Sequence, residues 1–452
     1  MIDDALIAAW RRILLENGTR AAILDGKGEV VRTFAQVEER AAFFEEKLAL
    51  APRAVIAIQI GNHPDWPALF LACLRRQLVT LPLEQTIGER ERVNALAITQ
   101  ASALVTAGGE KIEQIGSAMI DWGERRPVLL KLTSGTTAAP RAIRFRGEQL
   151  VADCENICDT MEIRQRDLNY GVIPISHSYG FSNLLTPLLV RGVALALSAD
   201  RMPRAILDGM AATRATVFPG MPVFYQSFCK MEERPDLPDL RLCISAGAPL
   251  TLELAARFRE RFGRTIHSFY GSSECGGICY VRAPRDEPGY VGAAMKGVAI
   301  EQSASSKIRV RSDAVGDGYF PEPDAERLGG GVFEPDDLLE KTPHGYRITG
   351  RGSDLINVAG KKVNPTEVEA ELRKCASVRE AIVFGRASER RNQEIAACVV
   401  SDGKVTEAEL LAHCRERLSG WQVPRRIYLV DAIPANERGK ISRRDLARKY
   451  SA

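Results

Sequence analysis

Between Leu132 and Arg141 the chain reads Leu-Thr-Ser-Gly-Thr-Thr-Ala-Ala-Pro-Arg. Thr133, Ser134, Gly135, Thr136 and Thr137 are all hydroxyl residues or glycine, and Arg141 closes the stretch with a cation. Small side chains let backbone N–H groups and hydroxyls crowd around an anion, so this composition suits a grip on a polyphosphate. The apolar run Pro127-Val128-Leu129-Leu130 before it reads as the strand that delivers the loop. A Walker loop is excluded, because no Gly-x-x-x-x-Gly-Lys-Ser/Thr string occurs anywhere in the chain. Loops of this composition also occur as plain solvated turns. Other segments must decide.

Two of them follow: Ser268-Phe269-Tyr270-Gly271-Ser272-Ser273-Glu274, and the run from Gly350-Arg351-Gly352-Ser353-Asp354 to Asn364-Pro365-Thr366-Glu367-Val368-Glu369. Together and in this order, with the loop above, they resemble the adenylate-forming superfamily of acyl-CoA synthetases, aryl-CoA ligases, peptide-synthetase adenylation domains and luciferases. The resemblance runs over residues 33–443. It implies attack of a carboxylate on the α-phosphorus of ATP, with magnesium pyrophosphate leaving. Two anions must then be brought together, which calls for cations, a metal ligand and a grip on the nucleoside.

By that resemblance, Thr133 to Arg141 contacts the β- and γ-phosphates, with Ala138 in place of a usual glycine and Arg141 in place of a usual lysine. Glu274 ligates Mg²⁺, Tyr270 lies against the adenine beside Gly271, and Ser273 contacts the α-phosphate. The turn Ser245-Ala246-Gly247-Ala248-Pro249 is similar to the one that admits the adenine and acyl group, so Gly247 and Ala248 join the nucleotide contacts. Asp337 falls on the ribose hydroxyls, although Asp336 replaces a glycine before it, and Arg351 is a second ribose or phosphate contact. Pro434-Ala435-Asn436-Glu437-Arg438-Gly439-Lys440-Ile441-Ser442-Arg443 is similar to the terminal motif whose lysine bridges carboxylate and α-phosphate in the transition state, here Lys440. Ser353 falls on the pivot between domains, where aspartate or lysine is usual.

Pro174-Ile175-Ser176-His177-Ser178-Tyr179-Gly180-Phe181 resembles the segment that carries a gate behind the substrate carboxylate, which assigns that role to His177. No aspartate matches the one that amino-acid-activating relatives use to pair with a substrate ammonium, so an α-amino acid is disfavoured. The expected activity is that of an AMP-forming acid–thiol ligase acting on an aryl or aliphatic acid. Its cofactors are ATP, Mg²⁺ and coenzyme A. A carrier-protein phosphopantetheine is the alternative acceptor, since residues 289–337 are shorter than in most relatives. A catalytically silent nucleotide-binding homologue is the rival from another class, motivated by Ala138, Asp336 and Ser353.

The elements that must position these residues are legible in the hydrophobic pattern. Residues 54–60, 79–83, 103–106, 169–175, 193–197, 240–245 and 265–269 read as strands, with helices over 36–48 and 252–262. This alternation predicts an α/β fold with mostly parallel sheets and flanking helices. The loops at Ser134, His177, Gly247 and Gly271 each follow a predicted strand end, where ligands gather in such sheets. From Gly316 the chain turns rich in glycine and proline. The last hundred residues predict a small mobile α+β domain, with a helix from Asn364-Pro365-Thr366 to Lys374 and a Thr406-x-x-Glu409 capping box. The predicted domains are residues 1–352 and 353–452.

At 452 residues and a formal net charge of +3, the chain offers no basic excess for nucleic acid. No apolar run approaches the roughly 20 residues that span a bilayer, and residues 1–15 lack the basic start of a signal peptide. Its ten cysteines lack zinc-site spacing and read as buried thiols. A cytoplasmic monomer or homodimer is expected, with no nucleic-acid partner and no membrane insertion.

Overall fold

The computed structural model describes residues 4–116, 120–133, 141–198, 200–302, 307–358, 361–388, 392–403, 405–434 and 441–450. The chain divides into two compact units. The first comprises Met1–Glu301, Arg309–Pro335 and Lys341–Arg347; the second comprises Gln302–Ile308, Asp336–Glu340 and Ile348–Ala452.

Two large sheets build most of the first unit, beside a small one that includes Ile308–Arg311, Val332–Phe333 and Leu328–Gly329. In one large sheet, the strands Ala21–Asp25, Ala194–Leu197, Leu168–Gly171, Val217–Gly220, Leu242–Ser245 and Ile266–Ser272 lie side by side and parallel. Antiparallel strands flank this core: Val30–Thr33 at one edge, and Gly276–Tyr280 followed by Tyr290–Ala294 at the other. In the other sheet Leu129–Leu132, Val79–Pro82, Val55–Ile58 and Ala103–Thr106 run parallel. Lys111–Gln114 borders this sheet on one side, and Ala142–Phe145 then Gly318–Phe320 on the other, all antiparallel. The central strands are continuous apolar runs because both their faces are covered. Tyr170, Phe218, Tyr225, Phe228 and Phe258 form one aromatic-rich core around Val217–Gly220.

The mixed α/β class expected from the sequence is the one observed. Two details differ. Tyr270 and Gly271 lie inside the strand Ile266–Ser272, hydrogen-bonded to Gly276–Tyr280, rather than in a loop after it. The zone beyond Gly316 contains the short strands Gly318–Phe320, Leu328–Gly329 and Val332–Phe333, which glycine spacing hides from a period-two reading.

In the second unit the long hairpin Val378–Ser388 with Asn392–Ser401 is flanked by Ile356–Val358 and by the parallel strand Arg426–Leu429. Alternation along the hairpin sends Val383, Ala397 and Val399 into one core with Val368, Leu372 and Leu410. Phe384, Ala396 and Cys398 face the other way, against Ile433 and Leu446. The helix Pro365–Arg373 starts at Asn364, whose side chain accepts from the Thr366 N–H, and Thr406 with Glu409 forms a reciprocal capping box before Glu407–Arg417. Cys375 is half-buried and the other nine cysteines are buried, all as free thiols. Among the described residues, no helix is long and apolar enough to cross a membrane.

Candidate active site

The strands Leu129–Leu132 and Ala142–Phe145 pair antiparallel, and their ends are tied just beyond the ladder. The Thr133 N–H donates to the Arg141 carbonyl at 2.8 Å, and the Arg141 N–H donates to Thr133 Oγ1 at 3.3 Å. Ser134, Gly135, Thr136, Thr137, Ala138 and Lys440 lie outside the described residues, as does Gly360.

Glu274 occupies the turn between Ile266–Ser272 and Gly276–Tyr280. Its N–H donates to Ser272 Oγ at 3.2 Å. Gly276, which closes the turn, has φ +69°, and a Cβ there would overlap the Asp153 carboxylate. Only glycine serves at that position. Asp153 in turn accepts from the Gly277 N–H at 3.1 Å, so the helix Gly147–Met161 pins the turn from below.

Tyr319 donates its phenol proton to Glu274 Oε1 at 3.1 Å. Burial, and next the Glu274 carboxylate, push this phenol well above its ordinary range, so it keeps the proton it donates. The face of the same ring meets Arg141, whose guanidinium carbon stands 4.1 Å from the ring centroid. Arg141 also lies 3.8 Å from Asp324. The structure thus brings the loop cation and the turn carboxylate together around one aromatic ring. Sequence reasoning missed Tyr319, because Gly318-Tyr319-Phe320 lies in the glycine- and proline-rich zone read as turns.

Ser273 Oγ is 2.9 Å from Ser178 Oγ, which sets the His177 segment beside the Glu274 turn. His177 itself is exposed, and its Nδ1 accepts from the Tyr179 N–H at 3.4 Å at the start of a short helical turn. Tyr179 donates to the Gly220 carbonyl at 3.2 Å, and its ring centroid lies 5.9 Å from that of Phe269. A Cβ on Gly180 would overlap the Pro174 carbonyl, so this glycine lets the chain double back tightly. A widened helical turn over Phe181–Leu185 follows, a geometry frequent near functional sites. Gly247 (φ +82°) and Ala248 form an exposed turn after Leu242–Ser245, and the buried Ser245 hydroxyl has no hydrogen-bond partner among the described residues. Tyr270 is half-buried and pairs with Cys279 across the hairpin.

Lys131, in the strand ahead of the loop, is buried at 6% exposure. Its Nζ lies 4.5 Å from the centroid of Phe145. Burial holds its ammonium below the ordinary lysine range, partly offset by Asp153, Cys275 and Glu274. A single lysine in an apolar run carries no sequence signal of this kind.

In the second unit, Arg351 Nε donates to Asp337 Oδ1 at 2.7 Å, which brings these two residues together. Thr349, two residues before Arg351, accepts from Asn364 Nδ2 at 2.7 Å. Arg443, the last residue of the terminal motif, donates to Asp354 and to Glu369, each at 2.7 Å, and to the Val383 carbonyl at 2.9 Å.

A hard cation such as Mg²⁺ takes oxygen ligands and commonly needs only one or two carboxylates when phosphates supply the rest. Glu274 fits that role: among the described residues Tyr319 engages one of its oxygens, leaving the other for a ligand. Among the described residues no three His, Cys, Asp or Glu side chains gather as a metal cage.

Residues 15–126 and 120–316 match the family described as AMP-binding enzyme, and residues 367–440 match the AMP-binding enzyme C-terminal domain. A feruloyl-CoA synthase of Amycolatopsis sp is 27% identical over 94% of this chain and 95% of its own. A benzoate–CoA ligase of Thauera aromatica is 25% identical over 96% of this chain and 93% of its own. Among solved structures, ATP-bound MatB from Rhodopseudomonas palustris superposes with a TM-score of 0.84 at 23% identity, covering 98% of each chain. The o-succinylbenzoate CoA synthetase of Bacillus subtilis in complex with its acyl-adenylate superposes at 0.80, with 21% identity and 97% of each chain covered. Motif order, fold and matched length agree: this chain belongs to the AMP-binding enzyme family.

Proposed function

We propose that this protein activates an aryl or aliphatic carboxylic acid with ATP and transfers the acyl group to the thiol of coenzyme A. In the first step a carboxylate oxygen attacks the α-phosphorus, the bond to the β-phosphate bridging oxygen breaks, and acyl-adenylate and pyrophosphate form. In the second the thiol sulfur attacks the acyl carbon, AMP leaves and the thiol proton is released.

The observation that carries this reading is the cluster of Arg141, Tyr319 and Glu274, in which a half-buried carboxylate is held by the Tyr319 hydroxyl and a cation by its ring face. Charge of both signs is what a site for a metal-bound polyphosphate requires. Mg²⁺, when bound, would neutralise the departing pyrophosphate, with Glu274 as its ligand. Thr133 and Arg141 then hold the phosphates at the loop base, and Ser273 reaches the α-phosphate. Gly247, Ala248, Tyr270 and Gly271 admit the adenine, while Asp337 and Arg351 bind the ribose. Lys440 supplies the mobile transition-state cation, in a second domain of residues 353–452 that reorients between steps. His177 gates the acyl side, where Tyr179 and Phe269 offer aromatic surface and no charge for an α-ammonium. The names of the matched CoA synthases and ligases support coenzyme A as acceptor. A carrier-protein arm is the second reading, favoured by the short stretch between Gly289 and Asp337.

Carboxylate-dependent ATP–pyrophosphate exchange tests the proposal, run over aryl, fatty and short branched acids. Thioester formation is then compared with coenzyme A and with holo-carrier protein. Exchange with at least one such acid and transfer to coenzyme A is the expected result. MgATP binding without exchange for any acid would instead identify a silent homologue.

A further inference from the structure

We propose that Tyr319 is a positioning residue that sets the Glu274 carboxylate for a nucleotide-bound divalent cation and holds the Arg141 guanidinium flat for the phosphates. This role rests on the adenylating reading above.

Two different parts of one side chain do the two jobs. The hydroxyl donates to Glu274 Oε1 at 3.1 Å, which fixes the carboxylate's rotation and directs the second oxygen elsewhere. Hydrogen-bonded partners of a metal-binding carboxylate orient it in this way. The ring face takes the guanidinium at 4.1 Å. A guanidinium is planar and stacks on an aromatic face, whereas an ammonium is a compact, strongly hydrated charge. The arginine at position 141 is therefore matched to the ring beneath it.

Tyr319 is able to act on its neighbours because the backbone holds it independently of any ligand. It is 2% exposed, and its strand pairs with Ala142–Phe145, placing Phe320 opposite Ala142, the residue after Arg141. The Gly316 N–H donates to the Glu274 carbonyl at 2.9 Å, tying the same segment to the carboxylate's turn. Asp317 accepts from Arg146 Nε at 2.7 Å and from Gln149 Nε2 at 3.0 Å. One rigid strand thus references both charged groups to a common frame, as a preorganised site requires.

The test is binding of N-methylanthraniloyl-ATP, followed by fluorescence with and without Mg²⁺, alongside thermal melts. Tyr319→Phe keeps the ring and deletes the hydroxyl. It should cut the Mg²⁺-dependent gain in affinity by about 10-fold and leave metal-free binding unchanged. Arg141→Lys should weaken metal-free binding in the native protein, yet add nothing further in a Tyr319→Leu background, because that substitution has already removed the platform. Should Tyr319→Leu melt early, Tyr319→Phe still decides the carboxylate half of the proposal. Equal weakening with and without Mg²⁺ in Tyr319→Phe, or no change in either, would overturn it. Glu274→Gln separates this failure from that of the underlying reading. If Glu274→Gln abolishes the Mg²⁺ gain while Tyr319→Phe retains it, only the positioning role falls; if Glu274→Gln retains the gain, the metal assignment falls and takes the positioning role with it.

Discussion

The Asp336 carboxylate accepts a hydrogen bond from the Ser353 backbone N–H at 2.9 Å, and the Asp336 carbonyl accepts from the Gly352 N–H at 2.7 Å. Both Asp336 and Ser353 depart from the residues usual in the resembled motifs, and the structure shows them bonded to each other. Two substitutions that look like separate losses in the sequence form one local link in the fold. Asp336→Gly should therefore speed hydrogen exchange at the Ser353 amide, whereas Asp336→Asn, which keeps an acceptor, should preserve most of its protection. Unchanged exchange in the glycine variant would show that the bond contributes nothing to holding the segment.

Ser353→Pro removes the N–H that Asp336 binds and fixes φ near −65°. If residue 353 is the pivot, the variant should retain pyrophosphate exchange and lose thioester transfer by roughly 10²-fold, as hinge-locked enzymes lose the step that needs the motion. Complete turnover at the native rate would move the pivot elsewhere.

Lys440→Ala should reduce adenylation by roughly 10²–10³, the cost of removing one preorganised transition-state charge. Transfer to thiol from supplied acyl-adenylate should change far less. Equal losses in both half-reactions would refute the role proposed for Lys440.

Arg443 shares the terminal motif with Lys440, but its contacts are architectural. Its guanidinium joins Asp354, Glu369 and the Val383 carbonyl, and the Glu369 side chain is only 3% exposed. Arg443→Ala leaves that carboxylate with the Val383 N–H at 2.8 Å and Arg373 at 3.4 Å, so it removes one charged hydrogen bond and should cost about 2 kcal/mol. Urea unfolding followed by a probe in the second unit measures it. A stability loss within experimental error would show that Val383 and Arg373 suffice to hold Glu369.

Lys131→Met should stabilise the protein at neutral pH. Burial lowers the folded-state lysine below its ordinary 10.5. Between the two values the unfolded chain binds more protons, so native stability rises with pH across that window. The advantage of the methionine variant is therefore largest below it and shrinks as pH approaches 10.5. Melting temperatures of both proteins from pH 7 to 10 check the sign; a gap that widens with pH would contradict it.

His177 is exposed, and its Nδ1 accepts a weak capping bond from the Tyr179 N–H, so His177→Ala should leave the melting temperature within a few degrees. If it gates the acyl side, acid preference or KM should change in the exchange assay. Unaltered selectivity would remove it from the site.

The sequence by itself determined the order of the motifs, the α/β class and the local signals that start particular helices. Asn364 before Pro365 and Thr406 with Glu409 are legible because a cap is satisfied within three residues of itself. The nearness of Asp337 and Arg351 was also within reach, since the resemblance sets Asp337 on the ribose and Arg351 on the ribose or a phosphate of the same nucleotide. Only the tertiary structure decided that Tyr319 lies between Arg141 and Glu274, 45 residues from the carboxylate it binds. The same holds for Asp153 beneath Gly276 and for Arg443 across Glu369. Such contacts depend on which strand adds to which sheet edge and in what register. Short strands such as Gly318–Phe320 carry too few alternating residues to announce their register. Their partners are selected by hydrogen bonding and packing over the whole unit, and no local pattern encodes that choice.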